Sequence, residues 1–208
     1  MRYRLVLFDV DSTLIEQEVI DLLAAKTPHL ATVADITKRA MAGELDFDSA
    51  LKERVALLRG LPETVLDDVR QEITFSQGAL TLISSLQQMG VKIGAVSGGF
   101  LNVLTPLFHD LNLDYLKANT LDIKDSVLSG NVVGPIINSR EKLRALKEFS
   151  ERSSIPLSQT IAVGDGANDV LMIESAGLGV SYRGKAILNE AADVVLTEAG
   201  LDALLNYF

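Results

Sequence analysis

Short apolar runs alternate along the chain with segments whose apolar residues recur every three to four positions. "YRLVLFDVDST" opens with an apolar strand pattern, and "VKIGAVSGGF" (91–100) follows the amphipathic stretch "GALTLISSLQQMG". "TIAVGDGAND" (160–169) follows "SREKLRALKEFSERSS", and "GLGVSY" (177–182) and "ADVVL" (192–196) come after it. Apolar strands separated by helices predict an α/β fold built on a doubly wound parallel sheet. In such sheets ligands bind beyond the C-terminal ends of the strands. The polar residues that break the pattern gather at those ends: Asp9 and Asp11, Ser97 with Gly98 and Gly99, then Asp165, Gly166, Asn168 and Asp169.

The first two strands stand about 80 residues apart, whereas one crossover unit needs about 30. Residues 78–89 supply the crossover helix, which leaves a surplus that reads as helices over 16–26, 29–42, 46–59 and 62–73. The pattern therefore predicts a helical cap over 15–75 inserted into a core made of 1–14 and 76–208. A second deviation, "YLKANTLDIKDSVLSGNVVGPII" (115–137), alternates around Ser129-Gly130-Asn131 and predicts a small β-hairpin flap turning there.

Composition narrows the classes. The 208 residues suffice for one sizeable core, no apolar window reaches membrane-spanning length, and the N-terminal apolar run stops at Asp9. No membrane association and no secretory signal is expected. The absence of cysteine suits a cytoplasmic location, and a formal charge of −9 disfavours nucleic acid. Two motifs fail on inspection. "GVSYRGKA" (179–186) has Ala186 where a nucleotide loop needs a hydroxyl, and it overlaps a strand. "AVSGG" (95–99) approaches a serine nucleophile elbow, but no acid followed by histidine completes a triad. His29 and His109 lie outside every cluster.

The carboxylates carry the chemistry. If strand geometry persists, Asp9 and Asp11 point to one face, and Asp165 reaches the same edge from another strand. Three carboxylates repel unless a cation joins them, and hard oxygen donors suit Mg²⁺. One carboxylate can be a phosphoryl nucleophile while the other serves as general acid and base. That acid must hold a proton near pH 7, which costs about 4 kcal/mol at an ordinary pKa of about 3.9. Ser97 and the Gly98 and Gly99 amides, read as opening the next helix, offer donors to a phosphoryl group. Lys142, one turn past a Ser139 N-cap, opposes the helix dipole, and a bound phosphate would justify it.

"DVDST", "SGG", Lys142 and "GDGAND", in this order, resemble the haloacid dehalogenase superfamily of aspartate-nucleophile phosphotransferases, over residues 5 to about 196. Within it, "DSTLIEQEVIDLLA" and "MAGELDFDSALKERVALLRGLP" are similar to the cap sequences of phosphoserine phosphatases. The resemblance implies Asp9 as nucleophile and Asp11 as acid and base. It implies Mg²⁺ held by the Asp9 carboxylate, the Asp11 backbone carbonyl and Asp165. Ser97, Gly98 and Lys142 would hold the phosphoryl group with support from Asn168, and Asp169 would orient Lys142 or a metal-bound water. From the cap, Glu18 would meet the ammonium and Arg54 the carboxylate of a small phosphorylated amino acid, with Met41 and Phe47 walling the pocket. "NSREK" before Lys142, and "YRGKA" in place of a more usual His-Ala-Lys-Pro, depart from the pattern and bear on substrate identity. Other small phosphomonoesters such as phosphohomoserine, and a receiver-like phospho-acceptor switch, are the alternatives. No regulatory domain of the kind that some relatives add is expected.

Overall fold

The computed structural model describes residues 2–42, 44–198 and 200–208, with the side chain of Met41 outside the described set. The chain begins with β1 (Leu5–Phe8) and runs through four helices, α1 (Val19–Ala24), α2 (Leu30–Met41), α3 (Phe47–Ala56) and α4 (Val65–Glu72). It then crosses by α5 (Ala79–Gln88) to β2 (Lys92–Phe100), α6 (Leu101–Leu107), β3 (Tyr115–Lys124) and β4 (Val127–Val133). The second half holds α7 (Ser139–Arg152), β5 (Thr160–Gly164), α8 (Val170–Ser175), β6 (Leu178–Tyr182), α9 (Ala186–Ala191) and β7 (Val194–Leu196). The strands form one sheet in the order β4-β3-β2-β1-β5-β6-β7, parallel except for β4.

β1 is the pivot. Leu5 to Phe8 pair on one side with Lys92 to Ala95 and on the other with Thr160 to Val163, so every β1 residue is buried. Successive side chains point to opposite faces. Val6 and Phe8 join Leu82 and Leu86 of α5, while Leu5 and Leu7 join Leu146 and Phe149 of α7. The winding reverses between β1 and β5, and a crevice opens at their C-terminal ends at such a reversal. Asp9 follows β1 and Asp165 follows β5.

The four expected helices between β1 and β2 are present, each within a few residues of the sequence reading. Their entry and exit segments are zipped together. Ile15 and Phe75 form an antiparallel bridge, Glu16 N donates to Thr74 O (3.0 Å), and Ser76 N donates to Leu14 O (2.9 Å). The Gln17 side-chain amide bonds Thr74 twice, at 2.9 and 3.0 Å.

Three local expectations are corrected. The hairpin turns at Asp125-Ser126, both left-handed (φ 51° and 58°), whereas Ser129-Gly130-Asn131 lie inside β4. Short polar side chains tolerate that conformation, and a two-residue turn with both φ positive matches the strand twist. The N-cap of α7 is Asn138, whose Oδ1 accepts from Arg140 N and Glu141 N, so Ser139 is already helical. Gly98 and Gly99 do not open a helix either. β2 continues to Phe100, and its pairing with β3 shifts register between Ser97 and Phe100, so the two glycines bulge out of the ladder. "GVSY" runs along β6, as a strand and not a nucleotide loop.

Candidate active site

β1 ends at Phe8, so Asp9 and Asp11 do not share a continuous strand face. The chain turns at once, with Thr13 N and Ile15 N both donating to Val10 O (3.1 Å each) and Ser12 left-handed at φ 56°. This turn gives the two carboxylates different partners. Asp9 Oδ1 accepts from Lys142 Nζ at 2.5 Å. Asp11 Oδ2 accepts from Ser97 Oγ at 2.6 Å, and Asp11 Oδ1 from Val19 N at 2.8 Å, where α1 begins. Gly99 is required beside them: a Cβ there would lie 2.6 Å from Asp11 Oδ2 and 2.9 Å from Ser97 Oγ.

Lys142 is fully buried and bridges two acids, its second bond running to Asp169 Oδ1 at 2.6 Å. Asp169 Oδ2 accepts from the Asp165 and Gly166 amides at 3.2 and 3.1 Å. Asp169 can fold back this closely because Gly164 has no side chain, and a Cβ there would sit 2.5 Å from Asp169 Cγ. Of the two tasks the resemblance implies for Asp169, its contacts match the first, the holding of Lys142.

Asp9, Asp11 and Asp165 are buried near the one ammonium of Lys142, and burial raises the proton affinity of each. Burial pushes the Asp9 carboxyl well above its usual range; the Asp169 charge adds to the rise and Lys142 opposes it. Burial also raises Asp11, against the hydrogen bonds from Ser97 and Val19 N. Burial and then the Asp169 charge carry Asp165 to about 7. Glu18, which accepts from Ser12 Oγ at 2.8 Å, is carried to about 8 by burial and the charges of Asp11 and Asp165. Burial alone would lower Lys142, but Asp169 and Asp9 hold it above the ordinary lysine value.

One oxygen from each of Asp9, Asp165 and Asp169 lies within 4.8 Å of the others. Both Asp169 oxygens are already committed, whereas the Asp165 carboxylate accepts no hydrogen bond among the described residues. The Asp11 side chain is turned to Ser97 and is not in this group. Hard oxygens at this spacing fit a divalent cation, and Asp9 and Asp165 have the free acceptors.

The partly open cavity above these acids is lined by Asp9, Asp11, Gly98, Asp165 and Asn168 from the sheet edge. Glu18, Phe47, Leu51 and Arg54 line it from the helices between β1 and β2. Glu18 and Arg54 thus face the strand-end carboxylates. Asn168 is buried, and its Oδ1 has no partner among the described residues. The side chain of Met41, expected as a wall, lies outside the described residues.

Sequence reading missed several contributors. Asn119 holds the glycine bulge, donating to Gly98 O at 2.7 Å and accepting from Ile137 N at 2.9 Å. Thr37 and Asp21 stand behind Arg54, and Asp48 accepts from Asn138 Nδ2 at 2.9 Å, linking α3 to the start of α7. None carries a local signal, since each acts through a residue distant in sequence.

Comparison with known proteins places this constellation. A phosphoserine phosphatase of Mycobacterium tuberculosis is 48% identical over 202 residues, covering 97% of this chain and 49% of the relative. The chain thus spans about half of that protein's length. A phosphoserine phosphatase of Streptococcus thermophilus is 45% identical over 197 residues, covering 95% of this chain and 92% of the relative. A solved structure described as a phospho-aspartyl intermediate analogue of phosphoserine phosphatase superposes with a TM-score of 0.95, at 38% identity and full coverage of both chains. Residues 6–174 match the family model described as haloacid dehalogenase-like hydrolase, a span that contains every strand-end carboxylate from Asp9 to Asp169. The chain belongs to the haloacid dehalogenase-like hydrolase family.

Proposed function

We propose that this protein hydrolyses O-phospho-L-serine to serine and inorganic phosphate through an aspartyl-phosphate on Asp9. The observation that carries the reading is the facing arrangement of two chemistries across one cavity. Acids and donors suited to phosphoryl transfer lie on the sheet edge, and a Glu18–Arg54 pair suited to a zwitterion lies opposite. The names of the relatives support the same substrate.

In this reading residues 15–75 act as a cap over a core of 1–14 and 76–208, and closing it excludes water. Arg54 grips the substrate carboxylate and Glu18, once ionised, its ammonium. An ammonium beside Glu18 favours its charged form and brings its pKa down from about 8. Asp9 attacks phosphorus, and the bond from phosphorus to the seryl oxygen breaks. Asp11, whose proton affinity burial raises, serves as the general acid and delivers a proton to the leaving oxygen. Asp11 then takes a proton from a water that attacks phosphorus, and the bond to Asp9 breaks to release phosphate.

Ser97 is poised for both roles. Its hydroxyl serves Asp11 here and can turn to a phosphoryl oxygen, joined by the Gly98 amide and Lys142, with Asn168 supporting them. Asp169 keeps Lys142 ionised and in place. Mg²⁺ is the proposed cation, held by the Asp9 carboxylate, the Asp11 backbone carbonyl and Asp165. When bound it offsets the charge of the acids and of the phosphoryl group. The substrate is a small phosphorylated amino acid, with no nucleic-acid or membrane partner proposed. Among the described residues no helix is long and apolar enough to cross a membrane. A cytoplasmic setting is proposed on the absence of cysteine.

The test is phosphate release from phosphoserine, phosphothreonine, phosphohomoserine and p-nitrophenyl phosphate, with Mg²⁺ and with chelator. Metal-dependent turnover led by phosphoserine and lost in Asp9→Asn is expected. Turnover of the generic ester but not of phosphoserine would overturn the substrate, and a long-lived phosphorylated Asp9 without turnover would overturn hydrolysis.

A further inference from the structure

Arg54 is 2% exposed, yet among the described residues no carboxylate oxygen lies within 4.0 Å of its nitrogens. Burial lowers the proton affinity of Arg54; the charges of Glu18, Asp21 and Asp11 are near enough to oppose the fall, but none touches it. A buried guanidinium without a paired anion is costly unless its donors are satisfied. Two of its five N–H groups are committed: Nε donates to Ala50 O at 3.1 Å, and an Nη1 donor goes to Thr37 Oγ1 at 2.9 Å. The other three have no acceptor among the described residues, and Arg54 lines the cavity.

Thr37 is itself buried inside α2, where a threonine adds nothing to helix propensity. Its single hydroxyl proton has two acceptors, Val33 O at 2.9 Å and Asp21 Oδ1 at 3.2 Å. The oxygen is therefore oriented from α1 and α2 while it accepts from α3. Three helices meet at one hydroxyl, and that hydroxyl stands between Arg54 and the carboxylate of Asp21.

We infer that Thr37, oriented by Asp21 and the Val33 carbonyl, is a positioning residue for substrate specificity. It pins one edge of the Arg54 fork so that the remaining donors stay presented to a carboxylate in the cavity. Without the hydroxyl an ionised Nη1 donor is left unsatisfied and the guanidinium is drawn to Asp21, away from the ligand. This rests on the proposed function, because the ligand group it selects is the substrate carboxylate.

Thr37→Val keeps the side-chain shape and removes the hydroxyl, and Thr37→Ser restores it. Both would be assayed by phosphate release with O-phosphoserine and with O-phosphoethanolamine, which keeps the ammonium and lacks the carboxylate. A charge-assisted hydrogen bond of about 1.5 kcal/mol or more corresponds to about tenfold. Thr37→Val is therefore expected to raise the KM for phosphoserine about tenfold with kcat changed by less than about twofold. Phosphoethanolamine kinetics should stay within about twofold of wild type, and Thr37→Ser should return the phosphoserine KM. Equal losses on both substrates would show a general packing defect and overturn the inference. So would an unchanged phosphoserine KM in Thr37→Val, or a failure of Thr37→Ser to restore it, in a wild type that prefers phosphoserine. A wild type indifferent to the carboxylate would overturn the functional reading, and this inference with it.

Discussion

Asp165→Asn separates electrostatic cost from function. The ordinary pKa of this carboxyl is 3.8, and burial with the charge of Asp169 carries it to about 7. Asp165 is 4% exposed, so solvent screens little of the effect. At about 1.36 kcal/mol per tenfold change, ionising it in the folded, metal-free protein costs about 4 kcal/mol. Between pH 3.8 and 7 the folded chain keeps a proton that the unfolded chain has released. The unfolded state binds fewer protons there, so stability falls as pH rises through that window and levels above it.

Asparagine does not ionise, and the Asp165 side chain accepts no hydrogen bond among the described residues that the change would break. In chelator at pH 8 the variant should be more stable by up to about 4 kcal/mol. At about 2–4 °C per kcal/mol this raises Tm by about 10 °C. Near pH 4 the two proteins should melt together. Added divalent cation should raise the wild-type Tm at pH 8 and leave the variant almost unchanged, while phosphoserine turnover is lost in the variant. Thermal melts across pH 4–8, with chelator and with Mg²⁺, supply every comparison. A variant less stable than wild type at pH 8 in chelator, or a difference that does not vary with pH, would refute the electrostatic reasoning.

Three further outcomes follow from individual contacts. Lys142→Met leaves Asp9 and Asp169 buried without their cation and should cost about 3–5 kcal/mol in urea unfolding at pH 8; an unchanged midpoint would contradict the pairing. Gly99→Ala places a methyl group against the Asp11–Ser97 bond and should lower kcat about 100-fold, the lower end for loss of a general acid. Near-wild-type kcat would show that the bond can shift without harm. Asp48→Ala removes the bond from Asn138 across the mouth of a roughly 450 Å³ outer cavity between α3 and the start of α7. If that bond helps hold the cap closed, amide exchange in 47–56 should speed up by up to about tenfold, and identical exchange would exclude it.

Much of the architecture was legible because burial imposes periodicity. The four fully buried residues of β1 are a continuous apolar run, and the helices between β1 and β2 show apolar faces, so their existence followed from local pattern. The strand-end acids were legible for the same reason: a carboxylate directly after a buried strand has no packing role. Local pattern failed where a turn or cap depended on detail. Asn138 beside Ser139 and Asp125-Ser126 beside Ser129-Gly130-Asn131 are rival signals of similar strength, and tertiary fit chose between them.

By itself the sequence determined the order of elements, the sheet edge that carries the chemistry and the residue types gathered there. Those depend on hydrophobic periodicity and on chain order, which are local. Only the tertiary structure decided which oxygen meets which donor. Lys142 lies 133 positions from Asp9, and Ser97 lies 86 from Asp11. That Asp9 takes the lysine while Asp11 takes the serine follows from the turn after β1 and from the missing side chain at Gly99. Likewise the Thr37 hydroxyl behind Arg54 exists only where α1, α2 and α3 converge. A hydrogen bond depends on tenths of an ångström between atoms far apart in the chain, and the packing of the folded state sets that distance.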